Sequence, residues 1–242
     1  MSLTNAVLQP GQPDPTFAKL GGQEHPVQPG ELWRGGDHLM CCADMTSAAH
    51  LSWLTKRAAD PETRPKAIYC APPWRDTTLA KWYDEAGAGK PPVAIDEVAA
   101  TLLAIAQMLG VPTFLQLSYS NHRRATEAVR SKGGLVVGRT EMRYASGLYC
   151  VALGVTWGAP FDFPDLAQVR ELDAPRVAFD GLALAPGSWV YDPFMGLGAT
   201  ALAAKALGLR ALGTELSPYR TSACLVQLAA DPIELAGSMS PT

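Results

Sequence analysis

Val190-Tyr-Asp-Pro-Phe-Met-Gly-Leu-Gly-Ala-Thr200 decides the reading of this chain, because an apolar strand runs into a Gly-x-Gly turn and then directly into a helix. Gly196 and Gly198 remove side chains where a ligand must approach the main chain, and N–H groups at the helix start favour a carboxylate or phosphate. Seventeen residues past Gly198, Glu215 stands at the end of the next apolar strand, where a carboxylate can take hydrogen bonds from two ribose hydroxyls. This is nucleoside-binding geometry. Gly196-Leu-Gly198-Ala-Thr-Ala201 also satisfies the dinucleotide fingerprint G-x-G-x-x-A, so a nicotinamide cofactor and an NAD-linked oxidoreductase compete at this point. The prefix Asp192-Pro193-Phe194 tilts against them: dinucleotide strands usually enter their glycines through apolar residues, whereas Asp192 can meet an ammonium group.

Strand and helix alternate outward from this stretch. Residues 188–192 and 210–216 read as strands, and 199–207 and 217–230 as helices. Upstream, 31–37 (ELWRGGD) and 66–71 (KAIYCA) are short apolar strands that stop abruptly, 96–110 is a helix ended by glycine, and 113–119 is a strand. Asn121 opens a helix to about Lys132, and 135–144 with 147–153 form a hairpin. The alternation implies an α/β fold, a single doubly wound and mostly parallel sheet covered on both faces. Residues 1–30, with five prolines and four glycines, are expected to be an irregular leader, 31–231 the folded domain and 232–242 a C-terminal tail. The long connection 157–185 has little period and is expected to be mobile or to contact substrate.

The 242 residues are 48% hydrophobic and 18% charged, a globular composition that excludes disordered, fibrous and membrane-embedded classes. No run of about 18 apolar residues occurs, and the first residues lack the basic start and apolar stretch of a secretory signal. The five cysteines are odd in number and form no C-x-x-C pair, which predicts reduced thiols and a cytoplasmic protein. The four histidines are scattered, so no metal is expected. A net charge of −3 does not advertise a nucleic-acid binder, but residues 121–143 hold six Lys or Arg against Glu127 and Glu141. That local +4 is either a phosphate-contacting patch or a solvated helix face.

The glycine stretch, followed by Ala203-Ala204, Gly208-Leu-Arg210, Gly213-Thr-Glu215 and Pro218-Tyr219, resembles the S-adenosylmethionine-binding end of the DNA amino-methyltransferases that modify adenine N6 or cytosine N4. The resemblance implies a seven-stranded methyltransferase-type sheet whose seventh strand is antiparallel. It implies that Asp192, Gly196 and Gly198 hold the methionine part of the cofactor, with Pro193, Phe194 and Thr200 of the same loop, and that Glu215 holds the ribose.

Ile68-Tyr-Cys-Ala71-Pro72-Pro73-Trp74 is a second element, a strand halted by two rigid prolines and an aromatic. A carbonyl fixed by such a corner can accept a hydrogen from an exocyclic amino group, a poor nucleophile whose lone pair is delocalised, and an aromatic face can stack on a flipped base. The family pattern is Asp, Asn or Ser, then Pro-Pro, then an aromatic. The resemblance thus makes Ala71, Pro72, Pro73 and Trp74 the catalytic element, with Pro72 offering its carbonyl and Trp74 its ring.

Ala71 departs from the pattern by lacking a side-chain acceptor. A weaker enzyme, a substitute acceptor such as Asp76 or Thr77, and a catalytically impaired cofactor-binding homologue all follow from that. Cytosine N4 is favoured over adenine N6, since Ser to Ala is the smaller change. Because the proline corner precedes the glycine loop, the order resembles the circularly permuted branch, which would set Asp37 beside Glu215 against the cofactor's adenine. No counterpart of the family's His-x-x-x-Lys-Pro segment occurs in 171–186, and no dedicated target-recognition domain remains. The expected partners are DNA and, with room left for it, a second copy in a homodimer; membrane and metal are not expected.

Overall fold

Every residue of Ala67–Cys70 and of Trp189–Asp192 is buried, a state strands reach only when both sheet faces are covered. The computed structural model describes residues 25–73, 75–89, 91–143, 149–167, 169–170, 172–228 and 233–239. In chain order the elements are β1 (Glu31–Gly35), β2 (His38–Cys42), α1 (Ala48–Ala59), β3 (Ala67–Cys70), α2 (Asp76–Glu85), α3 (Ile95–Leu109), β4 (Thr113–Ser118) and α4 (His122–Ser131). Then follow β5 (Leu135–Arg143), β6 (Tyr149–Thr156), α5 (Ala174–Gly181), β7 (Trp189–Asp192), α6 (Ala199–Ala206), β8 (Arg210–Glu215), α7 (Pro218–Leu228) and β9 (Ile233–Ser238).

The sheet has nine strands in the order β5-β6-β4-β3-β7-β8-β2-β1-β9. From β4 to β2 all neighbours are parallel, and β6 runs antiparallel between β4 and β5, so the expected antiparallel strand is the second arm of the predicted hairpin. Side chains alternate across the strands. Tyr69 and Val190 point into a core with α5, α6 and α7, while Ile68 and Tyr191 point into a second core with α1, α2, α3 and α4.

Two additions correct the seven-strand expectation. Residues 31–37 are not one strand: Gly36 turns with φ 57° and the chain reverses, so β1 pairs antiparallel with β2. The C-terminal segment expected to be a tail supplies β9, which pairs with β1. Of the expected leader, 1–24 lie outside the described residues, and Val27 is part of the core at 1% exposure.

The connection 157–185 is also corrected. It contains α5, and ahead of that helix it lies across the half of the sheet that α5, α6 and α7 do not cover. Phe161 and Phe163 pack on Phe114, with centroids 5.4 and 6.0 Å away, and Leu166 is fully buried. The Phe163 ring sits where the cross-strand pair Gly138 and Gly154 leaves the sheet bare: a Cβ on either glycine would lie 2.3 Å from it. Its apolar residues are used for packing. Gly154→Ala is therefore expected to cost about 2 kcal/mol of stability in urea unfolding, and nearly nothing in a Phe163→Ala background, where the obstructing ring is gone.

Candidate active site

The carboxyl ends of β3, β7, β8 and β2 are neighbours, because these strands are adjacent and parallel. From β7 the chain continues to β8 on one side, and from β3 to β4 on the other, so a crevice opens at the point where the winding reverses. Asp192 ends β7, Glu215 ends β8, and Ala71-Pro72-Pro73 follows β3.

Asp192 is 4% exposed and folds back on its own loop. Its Oδ1 accepts the Phe194 N–H at 2.9 Å, and the Thr200 hydroxyl donates to Oδ2 at 2.5 Å. Gly196 and Gly198 hold left-handed conformations, with φ 55° and 92°, and a Cβ on Gly198 would come within 2.5 Å of Cys224 Sγ. The Gly196 N–H donates to Glu215 Oε2 and the Ser217 N–H to Oε1, both at 2.9 Å. Burial raises the Asp192 carboxyl to about 7 against the lowering effect of the Thr200 and Phe194 bonds, with the nearby Glu215 charge adding to the rise. Burial also pushes Glu215 up, opposed by Arg220 and by the backbone N–H groups that its carboxylate accepts.

A slot beside this loop is lined by Asp44, Thr46, Trp82, Tyr83, Phe194 and Glu215 among others. Asp44 lies two residues past the end of β2, whose Cys42 registers with Glu215. Its Oδ1 accepts the backbone N–H and the hydroxyl of Thr46, at 2.8 and 2.7 Å, and the Tyr83 hydroxyl donates to Oδ2 at 2.5 Å. Helix α2 forms the outer wall. Arg220 holds it there, lying 5.4 Å over the Trp82 ring while its guanidinium donates to Glu85 at 3.1 Å. The space in the slot that admits a water-sized sphere is about 30 Å³.

The structure thus brings Asp192, Pro193, Phe194, Gly196, Gly198, Thr200 and Glu215 to one loop cluster, with Ala71, Pro72 and Pro73 on the next strand end. Asp37 is not with them. It sits in the β1–β2 turn, at the amino end of β2 and so at the strand ends opposite Glu215, because Gly36 reverses the chain one strand early. Asp44 holds the place expected for it, and the signal was present: His38-Leu-Met-Cys-Cys-Ala-Asp44 is an apolar strand followed by an acid, as in VYD and LGTE. Trp82, Tyr83 and Arg220 carried no such signal, since α2 reaches the slot only through the tertiary fold.

Trp74 lies outside the described residues. Of the two substitute acceptors, Asp76 accepts the Ile95 N–H at 2.9 Å through Oδ1, and Thr77 is exposed on α2. Among the described residues no group of His, Cys, Asp or Glu could hold a metal ion, and no helix is long and apolar enough to cross a membrane. All five cysteines are buried free thiols.

The raised Asp192 has a consequence for stability. The unfolded carboxyl titrates near its ordinary 3.8, so between about pH 4 and pH 7 the folded chain keeps a proton that the unfolded chain has released. This contribution is complete below pH 4 and lost as pH rises through 7. The unfolding free energy is expected to fall across that window by roughly 2–4 kcal/mol more than in Asp192→Asn, as read from urea titrations at each pH.

Residues 182–224 match a family model described as DNA methylase. No curated protein matches the chain. Among solved structures, the S-adenosylmethionine complex of M1.HpyAVI is 15% identical with a TM-score of 0.53, over 76% of this chain and 97% of that one. A Thermus thermophilus protein described as a candidate DNA modification methylase, solved with S-adenosyl-L-methionine, is 16% identical with a TM-score of 0.53, over 73% and 90%. The cytosine-N4-specific PvuII DNA methyltransferase is 12% identical with a TM-score of 0.52, over 77% and 85%. Such identities speak for the fold, and the dinucleotide reading of the glycine turn finds no support among these matches. The chain has the α/β methyltransferase fold, and the stretch that builds its glycine loop and carries Asp192 and Glu215 is the part that matches the N6 and N4 DNA methylase model.

Proposed function

We propose that this protein moves a methyl group from S-adenosylmethionine to an exocyclic amino group of a DNA base, cytosine N4 before adenine N6. The observation that carries the reading is the meeting of Asp192, Glu215 and the Pro72-Pro73 corner on adjacent parallel strand ends. The residues suit the cofactor: a buried carboxyl for an ammonium, a second carboxylate with a spare lone pair on each oxygen for two hydroxyls, and an aromatic-walled slot for a purine. Asp44, rather than Asp37, is the acid that would face the purine's amino group. When bound, the cofactor supplies an electrophilic methyl group that the lone pair of the base nitrogen displaces from sulfur. Pro72 would hold its carbonyl toward the amino hydrogens and stabilise the positive charge that develops on nitrogen as the methyl arrives, the proton then passing to water. Trp74 is proposed as the stacking face for the extruded base. A cytoplasmic homodimer is carried forward from the sequence, with light scattering as the check on its mass.

The test is transfer of label. Incubated with methyl-labelled S-adenosylmethionine and mixed-sequence DNA, the protein should place label in N4-methylcytosine after digestion to nucleosides, or in N6-methyladenine. Cofactor binding with label in neither nucleoside would falsify the reading. Ala71→Ser restores a side-chain acceptor beside the proline corner and should raise kcat at least about tenfold with cofactor affinity unchanged, since one such bond is worth about 10²–10³ in rate. An unchanged kcat would mean that the acceptor comes from elsewhere.

A further inference from the structure

Beyond the cofactor side of the crevice, the next rim element is the turn after β4. The register of β3 with β4 pairs Cys70 with Leu115, so the turn that begins at Tyr119 lies beside the proline corner, and Pro72, Pro73 and Asn121 line one groove. Tyr119 is 55% exposed, an aromatic ring held in solvent on a turn that the Asn121 N–H closes onto the Ser118 carbonyl at 3.0 Å.

The turn is clamped by a buried histidine. His122, 4% exposed, has Nδ1 2.6 Å from the Tyr119 carbonyl and Nε2 3.1 Å from the Arg139 guanidinium on β5. A carbonyl only accepts and a guanidinium only donates, so the ring is the neutral tautomer with its hydrogen on Nδ1. The clamp fixes Tyr119 relative to the edge hairpin, and the ring of His122 lies against it with centroids 5.3 Å apart. Positive charge surrounds it: Arg139 and Arg123 are exposed, and among the described residues no carboxylate pairs with Arg123. Arg124, one residue on, is the one of the helix-start pair that is neutralised, by Asp96.

We propose that this turn is the DNA-contacting surface, with Tyr119 stacking on bases at the site from which the target base leaves and Arg123 and Arg139 on the flanking phosphates. The choice of DNA rests on the methyltransferase reading. An immobilised aromatic flanked by unneutralised guanidinium groups meets both halves of a nucleic acid, a π-face and a polyanion. It also divides the sequence's basic window: Arg123 and Arg139 contact phosphate, while Arg130, in the last turn of α4, belongs to the solvated face.

Binding of a fluorescein-labelled mixed-sequence duplex, read by anisotropy, tests this with cofactor affinity and melting temperature as controls for folding. Tyr119→Ala should weaken the duplex about tenfold and Tyr119→Phe less than about twofold, because the ring and not the hydroxyl stacks. Arg123→Ala should weaken it and lower the salt slope by about one, and Arg130→Ala should do neither. A folded Tyr119→Ala protein that binds duplex like the wild type overturns the proposal, as does equal weakening by Arg130→Ala or preferred binding of a matched RNA. If the wild type transfers no methyl group while the Tyr119 and Arg123 effects hold, the surface stands and the catalytic reading falls. If transfer proceeds with an unchanged KM for DNA in Tyr119→Ala, the surface alone falls.

Discussion

Glu215 takes a backbone N–H on each of its two oxygens, one from Gly196 in the glycine loop and one from Ser217 at the head of α7. This grip fixes the loop against the end of β8 before any ligand arrives. Each oxygen keeps a second lone pair, so the same carboxylate that organises the protein can receive hydroxyls without giving up its structural bonds. The Met195 N–H, donated to the Thr214 carbonyl at 2.9 Å, adds a main-chain tie between the same two segments. Pre-organisation of this kind means that binding energy need not be used to order the loop.

The electrostatics follow from where those groups lie. Asp192 is buried and Glu215 part-buried, and Asp192 is raised to about 7 by burial and by its neighbour's charge. A cation beside the loop would favour the charged form of both carboxyls, as an anion would not. Below the loop, Tyr191, the residue before Asp192, places its hydroxyl 2.9 Å from His50 Nε2 on α1 and 3.5 Å from the Thr214 hydroxyl. Burial lowers His50 to about 4, so this link stays uncharged through neutral pH and anchors β7 within the core that α1 shares with α2, on the slot's own side of the sheet.

The remaining parts divide the rim by function. In the proposed function the four strand ends from β2 to β3 would take the cofactor and β4 with the edge hairpin would face the substrate, with Pro72-Pro73 between them. Helix α2 leaves the proline corner and returns over the slot, where Tyr83 binds Asp44 and Trp82 lies under Arg220. The corner and the slot's outer wall are therefore close together along the chain. On the far half of the sheet Phe163 takes the place of a helix, lying across a pair of glycines.

Local sequence by itself determined the glycine turn, the acids Asp192 and Glu215, the rigid proline corner and the alternation that makes a parallel sheet, because each depends on backbone conformation and near neighbours. It misread ELWRGGD as a strand ending in a functional acid, since a hairpin turn and a strand end share the same Gly-Gly-Asp spelling until pairing partners are known. Register with β8 singles out Asp44, six residues after the fully buried β2 begins, whereas the local pattern of an apolar run followed by an acid fits Asp37 and Asp44 alike. The closing of α2 over the slot, the Phe163 strap and the His122 clamp on Tyr119 join residues far apart in the chain. Only the folded packing could decide them, because contacts of that range are chosen by which faces are left uncovered once the sheet has formed.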